Sequence, residues 1–134
     1  MSAPSDPDAL SQILRSLRLS SGLISRGHFT SPWAVHSGQS QSAIFHAVVE
    51  GRCEVKPDGE LRAVTLEPGE LVVLTRGDAH TVRDSDDAEV RSIATLPARD
   101  LGGLKVVEHG GGGAPARVER QHDFRPEIFD LFRF

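Results

Sequence analysis

Two kinds of hydrophobic spacing divide the sequence, a helical one near the start and a shorter one from residue 23 onward. Four leucine and isoleucine residues between positions 10 and 17 recur at helical spacing and form one apolar stripe. Asp6 can cap a helix there, with Pro7 at its first position. The pattern predicts a short amphipathic helix over residues 7–19, preceded by disordered residues 1–6.

Beyond this helix, short apolar runs alternate with turn-forming residues. The runs lie at residues 23–29, 33–36, 43–49, 53–55, 61–66, 71–74, 79–82, 90–95 and 116–124. The Pro-Asp-Gly turn at residues 57–59 is typical of the connections, because proline presets one backbone angle and glycine accepts a positive one. Many short strands at regular spacing predict an all-β sandwich or barrel over residues 23–124.

Two segments near the end of the chain do not follow this pattern. The four-glycine run at residues 110–113 is not followed by the GK[ST] of a phosphate loop, so we interpret it as a flexible loop. Pro126 opens a second predicted helix, over residues 126–134, which is rich in phenylalanine. Such a density of apolar side chains favours a partner surface, which could be the barrel itself, a second copy of the chain or a continuation of the natural chain.

Composition narrows the classes of function. The 134 residues suit one domain, and the net charge of −4 argues against direct contact with nucleic-acid phosphates. Cys53, the single cysteine, cannot form an internal disulfide, which fits a reducing compartment. We see no signal peptide and no apolar stretch long enough to span a membrane, so the expected location is the cytoplasm.

The most informative stretch is EPGELVVLTRGDAH at residues 67–80, which reads as turn, strand, turn and the start of another strand. Its Gly69, Gly77 and His80 resemble the second conserved motif of the cupin family in identity and spacing. Upstream, FHAVVEG at residues 45–51 resembles the strand and glycine turn that close the first cupin motif. This resemblance implies a single cupin domain over residues 1–134, an antiparallel jelly-roll barrel with a helix at each end.

Five segments in order resemble, more narrowly, the ligand-binding cupin domain of AraC-type transcription regulators. They are residues 8–19, 31–35, 45–51, 66–80 and 110–115. The resemblance implies a barrel that binds a small effector and helps a regulator to dimerise. In that family a helix-turn-helix region follows the cupin domain, and this sequence ends at Phe134 without one, so we expect no DNA contact by this chain.

Many cupins hold a metal through two histidines and a glutamate of the first motif and one histidine of the second. His80 fits the second motif, but the glutamate position, seven residues before Gly51, holds Ile44. His46 lies nearby, and it could meet His80 only if its side chain points inward. We therefore predict no metal, no other cofactor and no catalytic residue, with His46 and His80 as polar contacts of a ligand pocket. Trp33 is the third predicted ligand contact, with packing in the core as its alternative.

Three functions remain open on the sequence alone. The preferred one is a module that binds a small-molecule effector. A stand-alone metal-dependent cupin enzyme, a dioxygenase or isomerase with His80 in its site, is the second. The third is an interaction module that forms a homodimer through its terminal helices.

Overall fold

A computed structural model of the chain describes residues 24–122, so the predicted helices at residues 7–19 and 126–134 lie outside the described residues. Within residues 24–122 the regular structure is almost entirely β. The strands are β1 (Ile24–Thr30), β2 (Ala34–Ser37), β3 (Ile44–Glu50), β4 (Cys53–Pro57), β5 (Val64–Leu66), β6 (Leu71–Leu74), β7 (His80–Arg83), β8 (Val90–Ser92), β9 (Ala98–Leu101), β10 (Leu104–Gly110) and β11 (Pro115–His122). A single 3₁₀ turn, Ile93–Thr95, links β8 to β9. No helix of the described part has the length and apolar character needed to cross a bilayer.

The strands form two sheets. Sheet A has six strands in the order β6-β3-β11-β1-β10-β9, and sheet B has five in the order β5-β4-β7-β2-β8. Most neighbours are antiparallel, as the predicted jelly roll requires, but β1 pairs with β10 and β2 pairs with β8 in parallel. These two parallel ladders depart from the antiparallel barrel expected from the sequence, because hydrophobic spacing carries no information on which distant strand becomes a neighbour.

The hydrophobic core lies between the two sheets. Side chains from both sheets enter it, including Val48 and Val118 from sheet A and Val35 and Val82 from sheet B. Cys53 is also part of this core at 1% exposure, and burial raises the pKa of its thiol to about 12. Its thiol is therefore a packed group and not a reactive thiolate.

Each predicted apolar run overlaps a strand, but one hairpin was not predicted. It consists of β9 and β10, joined at Gly102 and Gly103, which both have positive φ angles. All four residues of β9 are exposed, so this strand has no buried face that would produce alternation in the sequence.

The four-glycine run is a loop, but it is docked on the end of β1. The backbone N–H groups of Gly111 and Gly113 donate to the carbonyls of Thr30 and Ser31, each at 2.9 Å. The N–H of Gly112 donates to the Thr30 hydroxyl, also at 2.9 Å. The expectation of a free, flexible loop therefore overlooked three hydrogen bonds that fix the run in place.

Candidate functional site

A pocket of about 330 Å³ opens between the two sheets. Its walls are mostly apolar, with Phe29, Val107 and Val118 on sheet A and Val35 and Val82 on sheet B. The 3₁₀ turn and the start of β9 border it through Ile93, Ala94, Leu96 and Ala98. An apolar cavity with a few polar groups is the usual form of a small-molecule site, and this volume lies at the small end of the usual range.

His46 lies in the middle of β3, where both faces of the strand are buried. The five residues from Ile44 to Val48 are all buried, and His46 itself is 3% exposed. Its side chain lines the pocket, which answers the question of direction that the sequence left open. A polar ring in a dry environment needs hydrogen-bond partners, because an unpaired buried polar group is costly.

His80 provides one of these partners from the opposite sheet. The Nε2 atoms of His46 and His80 are 2.7 Å apart, and the two rings meet edge to face. His80 is fully buried and lies behind His46, since it does not itself line the pocket. The structure thus brings together the two histidines that were predicted as pocket contacts, with His46 as the one that faces the cavity.

The hydrogen bonds of His80 determine which nitrogen of each ring carries the proton. Nδ1 of His80 is 2.8 Å from the carbonyl oxygen of Asp78, which can only accept, so Nδ1 carries the hydrogen. In the neutral ring Nε2 of His80 is then an acceptor, and Nε2–H of His46 donates to it. The remaining nitrogen, Nδ1 of His46, is left with a free lone pair.

The surroundings of both rings lower their pKa and so favour the neutral form. Burial lowers the pKa of His46 well below its usual value, and the nearby charges of His80 and Arg120 lower it further. Burial also lowers the pKa of His80, against the opposing effect of its hydrogen bond to the Asp78 carbonyl. Two neutral imidazoles can share one N–H···N hydrogen bond, whereas two protonated ones would repel each other.

These residues do not fit the metal centre that other cupins carry. Such a centre requires about three protein ligands that converge on one point, whereas here two imidazoles bond directly to each other. Ile44 takes the place of the glutamate, Glu50 is exposed, and His36 forms a pair with Asp58 at 2.9 Å. Within residues 24–122 no group of three or more His, Cys, Asp or Glu side chains could hold a metal ion.

Trp33, the third predicted ligand contact, lies in the core. It is 1% exposed and stacks on Phe29, with the ring centroids 4.4 Å apart. Phe29 lines the pocket and Trp33 does not, so the tryptophan supports the wall from behind. The phenyl ring of Phe29 in turn lies over Gly27, where an added Cβ would come within 2.2 Å of the ring.

A row of polar side chains crosses sheet A at the level of His46, and sequence reasoning missed most of it. The Cα partners in neighbouring strands run from His46 to Arg120, then to Ser25 and then to Lys105. All four residues line the pocket, and we call them the polar row. The next level of the sheet is apolar, with Val48, Val118, Gly27 and Val107 in register.

One signal in the sequence could have indicated the polar row. In β11, alternation places Ala116, Val118 and Arg120 on one face, so that a cation follows two apolar residues. An arginine on the inward face of a strand is unusual and is a candidate for binding. The register that brings Ser25, Lys105 and His46 beside it depends on strands far apart in the sequence, so the full row could not be predicted.

Comparisons with known proteins agree with this architecture. The sequence matches the family described as Cupin over residues 8–128. No curated protein matches the chain.

Several solved structures are similar in fold at low sequence identity. One is the cupin domain of an XRE family transcriptional regulator from Enterobacter cloacae, with 18% identity over 73% of this chain and 76% of that chain and a TM-score of 0.44. Another is a DUF861 family protein from Thermotoga maritima, with 14% identity over 83% of this chain and 89% of that chain and a TM-score of 0.42. A protein of unknown function from Rhizobium leguminosarum has 19% identity over 80% of this chain and 86% of that chain, with a TM-score of 0.42. Since the family match spans most of the sequence, the chain belongs to the cupin family.

Proposed function

We propose that the chain is a small-molecule-binding cupin domain of the kind that senses effectors in AraC-type transcription regulators. The observation that carries the proposal is the pocket of about 330 Å³ between the sheets, with apolar walls and a polar row on one side. The resemblance of residues 8–19 and 66–80 to that class of regulators supports the assignment.

Binding, without catalysis, is the role that the histidines favour. His46 and His80 bond to each other, and in the described part of the chain no third potential metal ligand joins them. Their geometry suits recognition of a hydrogen-bond donor on a ligand.

The net charge of the chain and its two predicted terminal helices indicate which partners such a module would have. The net charge of −4 favours a chain that leaves DNA contact to another polypeptide. We propose that the terminal helices predicted over residues 7–19 and 126–134 make a homodimer, and that the protein acts in the cytoplasm. For the ligand to regulate anything, it must bind one conformation or assembly state more tightly than another.

A thermal-shift screen of the purified chain against small metabolites tests the proposal. A ligand present at 100 times its Kd adds about 2.7 kcal/mol to the stability of the folded state, which raises the melting temperature by several degrees. The matched variants are Ala94→Phe, which narrows the pocket at an exposed residue of its rim, and Val64→Phe, at an exposed position outside the pocket.

We expect at least one compound to stabilise the wild type and the Val64→Phe variant but not the Ala94→Phe variant. If no compound in a broad panel stabilises the wild type, the proposal fails. Equal stabilisation of both variants would also contradict it, because the compound would then bind outside the pocket.

A further inference from the structure

Arg120 lines the pocket, and within the described part of the chain no carboxylate forms an ion pair with it. None of the ion pairs within residues 24–122 involves Arg120, and its buried Nε has no hydrogen-bond partner there. Burial lowers the pKa of its guanidinium, but an arginine remains charged at neutral pH. A partly buried charge without a partner is costly, so an anion that enters the pocket would gain a strong contact.

Arg26, another arginine of sheet A, differs from Arg120 because a carboxylate neutralises its charge. Arg26 also borders the pocket, and its guanidinium contacts the Glu119 carboxylate at 2.7 Å. Among residues 24–122, Arg26 therefore has an acidic partner and Arg120 has none. This difference points to Arg120 as the position where a ligand supplies the negative charge.

His46 presents a second unsatisfied group beside Arg120. Its Nδ1 is buried and has no hydrogen-bond partner within the described residues. Because Nε2–H is used in the bond to His80, Nδ1 can only accept, and it requires a donor such as a hydroxyl or amino group.

The two unsatisfied groups lie close enough to be met by one small molecule. Arg120 and His46 are register partners on neighbouring strands β11 and β3, so their Cβ atoms are about 5 Å apart. The rest of the pocket offers apolar contacts. Its volume of about 330 Å³ suits a ligand of roughly ten non-hydrogen atoms, if each takes about the 30 Å³ of a water molecule.

We propose that the pocket binds a small hydroxy- or amino-substituted monocarboxylate with an apolar body, whose carboxylate pairs with Arg120 and whose donor group binds Nδ1 of His46. A carboxylate fits better than a phosphate, because only one cation of the polar row is partly buried and unpaired. Lys105, the other cation of the row, is exposed and its charge is largely screened by water. This inference rests on the proposed function, since it names the ligand class for the same pocket.

The test measures the Kd of defined probes for the wild-type chain by calorimetry. The probes are benzoate, 3-hydroxybenzoate, 4-hydroxybenzoate, the neutral analogue benzamide, and inorganic phosphate. We expect the Kd of each carboxylate to be lower than that of benzamide by a factor of about ten or more. Hydrogen bonds to charged groups contribute enough free energy to produce this difference. We also expect one hydroxybenzoate to bind severalfold more tightly than benzoate, and phosphate to bind more weakly than either.

Variants then assign these contacts to their residues. Arg120→Met should raise the Kd of the carboxylates by a factor of about ten or more and leave the Kd of benzamide unchanged. The matched control is Arg117→Met, on the same strand but outside the pocket, which should keep the wild-type Kd values. His46→Leu should remove the advantage of hydroxybenzoate over benzoate, and the wild-type comparison of probes stands even if this variant does not fold.

The outcomes separate this inference from the proposed function. Benzamide or phosphate that binds as tightly as benzoate, or Arg120→Met with unchanged carboxylate binding, would overturn the carboxylate assignment. If neutral metabolites stabilise the wild type but not Ala94→Phe, while no carboxylate binds, the pocket binds ligands and only the assignment of their class fails. If neither neutral nor anionic compounds bind, both proposals fail.

Discussion

At the scale of single residues, the pocket places a neutral pair of imidazoles beside a charged guanidinium. The Nε2–Nε2 distance of 2.7 Å between His46 and His80 requires a shared hydrogen, and the Asp78 carbonyl fixes where the other hydrogen lies. Arg120, next to His46 in register, opposes protonation of the pair. The site is therefore built to keep a lone pair and a positive charge side by side.

The neutral pair makes the stability of the fold depend on pH. In the unfolded chain a histidine takes up a proton near pH 6.5, whereas the lowered pKa values keep His46 and His80 neutral in the folded chain at that pH. The unfolded state thus binds more protons as the pH falls below about 6.5, and the free energy of unfolding decreases. We expect a loss of about 1 kcal/mol or more between pH 7 and pH 5.5, measured by urea denaturation.

Substitution at His46 provides the control for this pH dependence. His46→Gln removes one of the two buried titrating groups and should give a flatter dependence than the wild type. His28→Gln, at an exposed position, should keep the wild-type slope. Equal slopes for the wild type and His46→Gln would show that other groups cause the acid sensitivity.

The residue scale also shows what the sequence could and could not predict about the site. The motif around Gly77 placed His80 inside the barrel, and a strand around His46 allowed the two rings to meet. Arg120 received no role, because its significance depends on which side chains of residues 24–122 surround it in three dimensions, and none of their carboxylates pairs with it. Trp33 was predicted as a ligand contact with core packing as its alternative, since the start of a strand is compatible with both, and the structure places it in the core.

At the scale of elements, close backbone contacts fix turns that composition alone describes as flexible. The run at residues 110–113 lies against the end of β1, and an added Cβ at Gly113 would be 2.7 Å from the carbonyl oxygen of Ser31. Asp84 holds the same region from the other side, because it accepts hydrogen bonds from the backbone N–H of Trp33 and from the Ser31 hydroxyl. Two distant parts of the chain thus form hydrogen bonds with the segment between β1 and β2.

Gly113→Ala should destabilise the protein because the new methyl group meets backbone atoms that cannot move away freely. We expect a decrease of about 1–3 kcal/mol in the free energy of unfolding, which denaturant titration measures. The matched control is Gly38→Ala, where an added Cβ meets no atom within 4 Å and the stability should not decrease. A Gly113→Ala variant as stable as the wild type would contradict a docked loop and support a free one.

Strand positions could be predicted where an apolar run marks them, but not for the exposed strand β9 or for its partner β10. The run at residues 71–74 coincides with β6, whose residues are largely buried. The exposed strand β9 has no such pattern, and β10, which pairs with it, was missed with it. Partners could not be predicted for any strand, because the same alternation fits a parallel or an antiparallel neighbour.

At the scale of the whole molecule, the polar row depends on the four central strands of sheet A. Its four members come from β3, β11, β1 and β10, and each pair of strands that is adjacent in this part of the sheet is far apart in the sequence. A ligand that contacts the row therefore stabilises the sheet as a unit, since it binds only when all four strands are paired.

This dependence predicts a wide pattern of protection in hydrogen-exchange measurements. A saturating ligand should slow exchange along the whole of β1, β3, β10 and β11, including amides remote from the pocket. In the Arg120→Met variant the same ligand concentration should give little added protection. Slowing limited to a few residues that touch the pocket would mean that the strands open independently of one another.

The position of β11 in sheet A determines when the sheet can form during translation. This strand is the last of the described residues, yet it lies between β3 and β1, which are among the first. During translation β1 and β3 therefore leave the ribosome without their common neighbour, because β11 is synthesised only at Pro115–His122. Arg120 and Val118 both belong to β11 and line the pocket, so a nascent chain that stops before this strand lacks part of the pocket wall.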